Sequence, residues 1–313
     1  MKDVREAVKE ARVERELAFK KAYGDARTAK VRKRLARAEF VGTWLTRLPS
    51  RLEGTQRTFS EWHDSLNSRY GLLPLGLPQQ CDGCGANASV EHLLSCKKGG
   101  LVTWRHNDVR DEWEWLCEQA LPPSSVGTEP FIFYGAELTA AQGRTPAGQV
   151  EGGDDGEDGE DLGDEARGDV SARGFWSRRR VAIFDIRITD TDAPSYGNRS
   201  SKKIIEAAEK EKIGKYGDAC TQRRRDFTPM VYSVDGMPGA KARAAEKRLA
   251  SLLATKWKRN YSDVANFVRV RMALAVVRSI TLLLRTERKQ VKWSRRAPED
   301  STAALMGRDI DEE

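Results

Sequence analysis

Apolar positions along the chain change period several times, and each change marks an element. Over residues 2–40 they are sparse, helically spaced and crowded by Lys and Arg, as in "KVRKRLARAEF". That pattern predicts a basic helix with little core of its own. Pro49 and Gly54 punctuate the next segment, and Ser60 is the expected N-cap of a short helix carrying Trp62, Leu66 and Tyr70 on one face. "HNDVRDEWEWLCEQAL" reads as a helix stopped by Pro122 and Pro123. "EPFIFYGAEL" reads as a strand. "DVSARGFW" and "VAIFDIRITDTD" read as two consecutive strands, with a hairpin turning around "SRRR". A helix capped by Ser200 or Ser201 follows, then the strand "FTPMVYSVDG", closed by Asp235-Gly236. Two helices at about 240–256 and 262–286 come last, the second with Ser262 as N-cap. A helix crossover before the last strand implies a mixed sheet in an α/β domain.

The chain has 313 residues, 39% hydrophobic and 32% charged, which leaves room for two domains or for one with long extensions. The apolar run near 272–284 is broken by Arg278 and flanked by Arg271 and Arg285, so it does not read as a membrane span. The N-terminal stretch has no apolar core of the kind a secretory signal needs. Formal charge is +7, but residues 151–165 carry nine acidic residues and no basic ones, leaving +16 on the rest. A basic body with one acidic tract suits a partner made of phosphates. Residues 140–166 are too acidic and glycine-rich to bury a core and are expected to form a disordered insertion, either a solvated loop or a decoy for a basic groove.

Cys81, Cys84, His92 and Cys96 form C-x2-C-x7-H-x3-C. Gly83 and Gly85 permit the tight turn that aims two thiolates at one ion, and "SVEHLLSC" puts His92 and Cys96 on one helical face. Three sulfurs and an imidazole close a tetrahedral Zn²⁺ shell with no open position, so the metal is expected to be structural. Five cysteines with such a pair point to a reducing compartment rather than a disulfide framework. Cys117 and Cys220 fall on apolar positions and are expected in the core. His106, in "WRHND", is open to three roles: metal ligand, phosphate contact or helix cap.

Asp185 interrupts the apolar strand "IFDIRI", a costly position unless its carboxylate is paired or binds a cation. Asp169, in "RGDV", begins the preceding predicted strand. On adjacent strands the two carboxylates can converge on one Mg²⁺ or Mn²⁺, a metal that polarises a phosphate oxygen and generates hydroxide. The cation completing the charge set is Arg187, on the same strand face as Asp185, or Lys202 or Lys203 at the start of the next helix. Lys210, Lys212 and Lys215 repeat along that helix.

Taken in order, "CDGCGANASVEHLLSC", "WRHND", "TEP", "RGDV", "FDIRITD" and "KEKIGKY" resemble the C-terminal portion of non-LTR retrotransposon proteins of the restriction-like-endonuclease clade, over roughly residues 40–285. The resemblance implies a basic helical connector over 1–78, a CCHC zinc knuckle over 79–107, a PD-(D/E)xK nuclease-like mixed sheet flanked by helices over 108–286, and a disordered tail over 287–313. It further implies Mg²⁺- or Mn²⁺-dependent nicking of double-stranded DNA to prime reverse transcription, with element RNA a possible second partner, no membrane, and a nuclear location in a eukaryotic host. Asp169 and Asp185 match the two acidic positions, and Lys202 or Lys203 the displaced catalytic lysine. Glu112, Glu114 or Glu129 matches an additional glutamate of some members. Arg105, His106, Lys212 and Lys215 are candidate nucleic-acid contacts, with Trp104 or Trp176 available for stacking and Trp113 and Trp115 expected in the core. The sequence departs from the pattern where "RGD" lacks the usual proline and Arg187 replaces the strand lysine; no polymerase motif accompanies them.

Overall fold

The computed structural model describes residues 2–38, 41–51, 53–134 and 165–288. Among the described residues, six strands and eight α-helices follow in chain order: α1 (Lys2–Asp25), α2 (Ala29–Ala38), α3 (Phe59–Tyr70), α4 (Val90–Ser95), α5 (Leu101–Ala120), β1 (Val126–Thr128), β2 (Phe131–Tyr134), β3 (Glu165–Arg167), β4 (Val170–Arg173), β5 (Val181–Thr189), α6 (Ser201–Gln222), β6 (Arg225–Ser233), α7 (Ala240–Trp257) and α8 (Tyr261–Arg285). The main sheet has the order β1-β4-β5-β6, and β2 pairs with β3 in a separate two-stranded ladder. β4 and β5 form the expected antiparallel hairpin, and α6 carries the chain back to lay β6 parallel to β5. The result is a mixed α/β fold with a small mixed sheet. Pro229 fits within β6 because that strand is an edge of the sheet.

Alternation along β5 sorts its side chains between two faces. Ala182, Phe184 and Ile186 join Val109, Trp113 and Leu116 of α5, Leu249 and Leu253 of α7, and Val268 and Met272 of α8 in the main core. Ile183 faces the other way, against Ile132, Phe133, Tyr216 and Cys220. Asp185 and Arg187 share the parity of Ile183 and therefore the α6 face. Cys117, Cys220, Trp113 and Trp115 are buried, as the pattern predicts.

Several boundaries move. The single helix expected over 2–40 breaks between Asp25 and Ala29. The N-cap of α3 is Thr58, not Ser60: its hydroxyl accepts from Glu61 N while the Glu61 carboxylate accepts from Thr58 N. Asn260, not Ser262, caps α8, without a side-chain bond. Within "EPFIFYGAEL" the strand is β2, Phe131–Tyr134, and residues 135–138 lie outside the described residues; the pattern does not show β1, which precedes that stretch. Glu129, with φ 47°, turns the chain between β1 and β2 and sends each to a different sheet. α5 runs through the domain boundary expected at residue 107, so knuckle and sheet share one rigid element. The acidic insertion ends earlier than expected, because Glu165–Arg167 already forms β3; its remaining residues 140–164 lie outside the described residues, as do 289–313 of the tail. Arg288 does not belong to a frayed tail: it is buried, and its guanidinium donates to the carbonyls of Leu93 and Leu283.

The arginines that break the apolar run of α8 are its anchors. Arg271, Arg278 and Arg285 recur every seven residues and therefore share one side of the helix. Arg271 reaches Glu53 O and pairs with Glu112 at 2.6 Å. Arg278 donates to Gly54 O and Gln56 O. Arg285 forks onto fully buried Asp64 at 2.6 and 2.7 Å. Together they fasten residues 53–64 along α8. Among the described residues no helix is long and apolar enough to cross a membrane.

Candidate active site and metal centre

The Cys81–Cys84 turn closes through Gly85 N donating to Cys81 O, with Gly85 at φ 76°, a region glycine enters freely. Ser89 caps α4 and Cys96 ends it, so His92 and Cys96 face the turn. Cys81 Sγ lies 3.7 Å from Cys96 Sγ, Cys96 Sγ 3.8 Å from Cys84 Sγ, and Cys84 Sγ 3.2 Å from His92 Nε2. A tetrahedron of thiolates about 2.3 Å from a central ion has edges of about 3.8 Å, whereas a disulfide requires about 2.05 Å. These four side chains therefore form a cluster able to hold a metal ion, all ligand atoms lying within 4.8 Å of one another. Burial raises the Cys81 thiol, but the backbone amides of Cys84 and Gly83 and the His92 side chain outweigh it and hold the group down at about 6, favouring the ligating thiolate.

The cluster is tied to the rest of the molecule on two sides. Its apolar back (Leu93, Leu94 and Leu101) packs on Ile280, Leu283 and Leu284 of α8. Asp82 accepts from the backbone and guanidinium of Arg288. A Cβ at Gly99 would overlap Arg288, so that approach requires glycine. Arg105 donates to Leu94 O at 3.1 Å. Arg105 is thus not a nucleic-acid contact: it is buried, and desolvation lowers its guanidinium to about 10. Its neighbour on α5 is His106, so the knuckle fixes the helix that carries the histidine.

Asp169 is not inside a strand but at the bend between β3 and β4. With Val170 opposite Phe184, Asp169 stands opposite Asp185 across the hairpin. Since β4 begins one residue later, the Asp169 carboxylate rather than a strand carbonyl accepts from Ile186 N. The same Oδ2 lies 3.2 Å from His106 Nε2. Burial alone would lower His106, but the Asp169 carboxylate outweighs it and brings the imidazole up to about 9. His106 is in the second turn of α5, which starts at Leu101, so it does not cap that helix.

Asp185 is 6% exposed. Its Oδ2 pairs with Lys212 Nζ at 3.2 Å. Burial pushes the carboxyl up to about 6, opposed by Lys212 and assisted by Asp169. Burial alone would lower Lys212, but Asp185 outweighs it and raises the ammonium. Two facing carboxylates, one of them buried, provide oxygen ligands of the kind a hard divalent cation requires.

The lysine at this site is therefore Lys212, not Lys202 or Lys203. Both of those lie in the exposed first turn of α6; Lys202 sits 3.9 Å from Glu206 and lines a separate pocket with Lys30 and Lys33. The sequence held a signal that pointed to Lys212. The inward stripe of α6 runs Ile205, Ala208, Tyr216, Cys220, and Lys212 occupies the position between Ala208 and Tyr216. It interrupts the apolar helix face as Asp185 interrupts the apolar strand. Arg187 stands at the rim, paired with Glu211 at 3.0 Å, and Lys215 lies over the Tyr216 ring at 5.0 Å. Arg271 holds Glu112 and Arg110 reaches Glu129, so those carboxylates are engaged away from Asp185, while Glu114 is buried. Trp176 donates to Thr228 Oγ1, and Trp104 packs against the knuckle; neither ring is a free stacking platform. The sequence matches no protein-family model and no curated protein.

Proposed function

We propose that the protein is a zinc-braced, Mg²⁺- or Mn²⁺-dependent DNA endonuclease of PD-(D/E)xK type, derived from a non-LTR retrotransposon, that nicks double-stranded DNA. The observation that carries the reading is the constellation around Asp185: a buried strand carboxylate opposed by Asp169 across a hairpin and paired with Lys212 from the crossover helix. Asp169 and Asp185 would hold the catalytic cation, which supplies Lewis-acid polarisation of a phosphate and an ionised water. Lys212 places a positive charge where a phosphodiester gathers negative charge. His106, protonated at neutral pH, orients Asp169. Cys81, Cys84, His92 and Cys96 hold zinc, and that ion fixes the start of α5 and hence His106. In an intact element the nick would supply the primer for reverse transcription, within the nucleus of the host.

Supercoiled plasmid incubated with the protein and Mg²⁺ or Mn²⁺ should relax. Asp185→Asn and Lys212→Ala should each reduce nicking at least a hundredfold, while Lys202→Ala and Lys203→Ala leave it within about twofold. Loss in the Lys202 or Lys203 variant with retention in Lys212→Ala would overturn the assignment. One observation favours a second reading, a nucleic-acid binder that does not cut: His106 and Lys212 already place cations against both carboxylates. Tight DNA binding with no nicking in either metal would select it.

A further inference from the structure

Seven arginines gather at one end of the sheet, away from the carboxylates. The parallel register places Val181 opposite Arg225, so the β4–β5 loop and the α6–β6 loop emerge side by side. The first brings Arg178, Arg179 and Arg180, with Arg173 at the end of β4; the second brings Arg223, Arg224 and Arg225. From Gly174 to Val181 and from Thr221 to Phe227 the only carboxylate is Asp226, and Arg180 takes it at 2.9 Å. Three of the arginines build the rim. Arg180 also donates to Arg225 O at 2.9 Å, Arg225 donates to Phe131 O, and Arg223 lies 5.8 Å over the Phe131 ring. Arg173, Arg178, Arg179 and Arg224 are exposed, and their side chains have no ion pair or hydrogen bond among the described residues. Arg224 holds a left-handed backbone, φ 54°, in the middle of the second triplet.

A solvated surface mixes charge signs, and this one does not. Every cation in it is arginine, whose planar fork matches the oxygens of a phosphate. Its distance from the carboxylates is set by two elements independently. Val181 precedes Asp185 by four residues of strand, about 13 Å. Arg223 follows Lys212 by eleven residues at the end of α6, about 16 Å. Phosphates of one duplex strand recur about every 3.4 Å of helix axis, so a backbone lying at Asp185 reaches the rim four or five nucleotides further on.

We propose that this arginine rim is a second contact surface for the phosphate backbone of double-stranded DNA, separate from the Asp169–Asp185 site. It rests on the reading above only for the identity of the partner. The test is equilibrium binding of a fluorescent 30-base-pair duplex, about three turns long, across a salt series in the Asp185→Asn background without added Mg²⁺. Arg178→Ser, Arg179→Ser and Arg224→Gly are combined; glycine accepts the left-handed position, so the fold is retained. A control removes the same charge from exposed positions of α1: Arg5→Ser, Lys9→Ser and Arg15→Ser. The rim variant should flatten the slope of log affinity against log salt by about 2.7, roughly 0.9 for each lost phosphate contact. It should also weaken binding at least tenfold, whereas the control changes affinity less than threefold. An unchanged slope, an equal loss in the control, or a loss seen with duplex RNA and not with DNA would each overturn the proposal. Absence of plasmid nicking would count against the endonuclease alone, because this readout is binding.

Discussion

At Asp185 the cost of burying a carboxylate is visible in one side chain. The folded protein raises its carboxyl from 3.8 to about 6, chiefly by burial. Folding therefore gains stability from the bound proton at pH below about 4, and that gain is lost as pH rises through about 6. At neutral pH and without a divalent ion, the ionised group costs roughly 3 kcal/mol. Asp185→Asn should accordingly raise unfolding free energy by about 3 kcal/mol at pH 7.5 and leave it unchanged at pH 3.5, read by urea titration. A variant less stable than the parent at pH 7.5 would make Asp185 a structural ion-pair partner instead. His106 behaves in the opposite functional sense. Its folded value near 9 means that the stabilisation from its contact with Asp169 is fully present below about pH 6.5 and is lost as pH rises through 9. His106→Gln should remove that alkaline step from a thermal-melting profile.

Elements are fastened here by buried arginines as much as by apolar packing. Arg37, at the end of α2, has a side chain 1% exposed and holds two carboxylates, Asp192 at 2.8 Å and Asp235 at 2.6 Å, together with Ser201 at the start of α6. Burial alone would raise Asp192, but Arg37 outweighs it and brings the group down to about 2. Asp192 and Asp235 come from the β5–α6 and β6–α7 connections, so one guanidinium joins three parts of the chain. Arg37→Ala leaves buried Asp235 without its guanidinium and Asp192 held by Arg34 alone, at 3.0 Å, and should cost about 3 kcal/mol, measured by denaturant unfolding. The same variant should free α1 and α2 from the sheet, detected as faster hydrogen exchange in those helices alone. α6 supplies a cap as well as a crossover: its Glu209 carboxylate accepts from Lys241 N at the start of α7, and Glu206, one turn earlier on the same helix, does not reach that position.

Across the whole molecule the metal cluster acts through α5. Leu101 begins that helix within the knuckle's core, and His106 stands one turn further along, at Asp169. Binding of an ion to the folded state alone stabilises it in proportion to affinity and concentration. A strong zinc chelator should release one equivalent of metal and lower the melting temperature by several degrees. It should also broaden the NMR signals of the first turns of α5 and of Arg288. Cys84→Ser, at the exposed ligand, should reproduce the effect in milder form; a release of no metal at all would remove the brace.

Much of this was written in local sequence. The C-x2-C-x7-H-x3-C spacing fixed the metal cluster because its ligands lie within sixteen residues, and a tight turn and one helical turn leave little freedom. Period and polarity likewise placed β4, β5, α6 and β6, and an aspartate inside an apolar strand marked Asp185. Lys212 was assigned as a nucleic-acid contact and not as the partner of Asp185, although that signal was present, because a lysine on a helix reads as solvated until the strand beneath it is known. The burial of Arg105 and Arg288, the seven-residue ladder on α8 and the junction of the two arginine triplets are contacts between segments distant in sequence. Only the tertiary structure decides such contacts: a charged side chain has the same local pattern whether it faces water or a buried carboxylate, and the difference is made by what the fold brings opposite it.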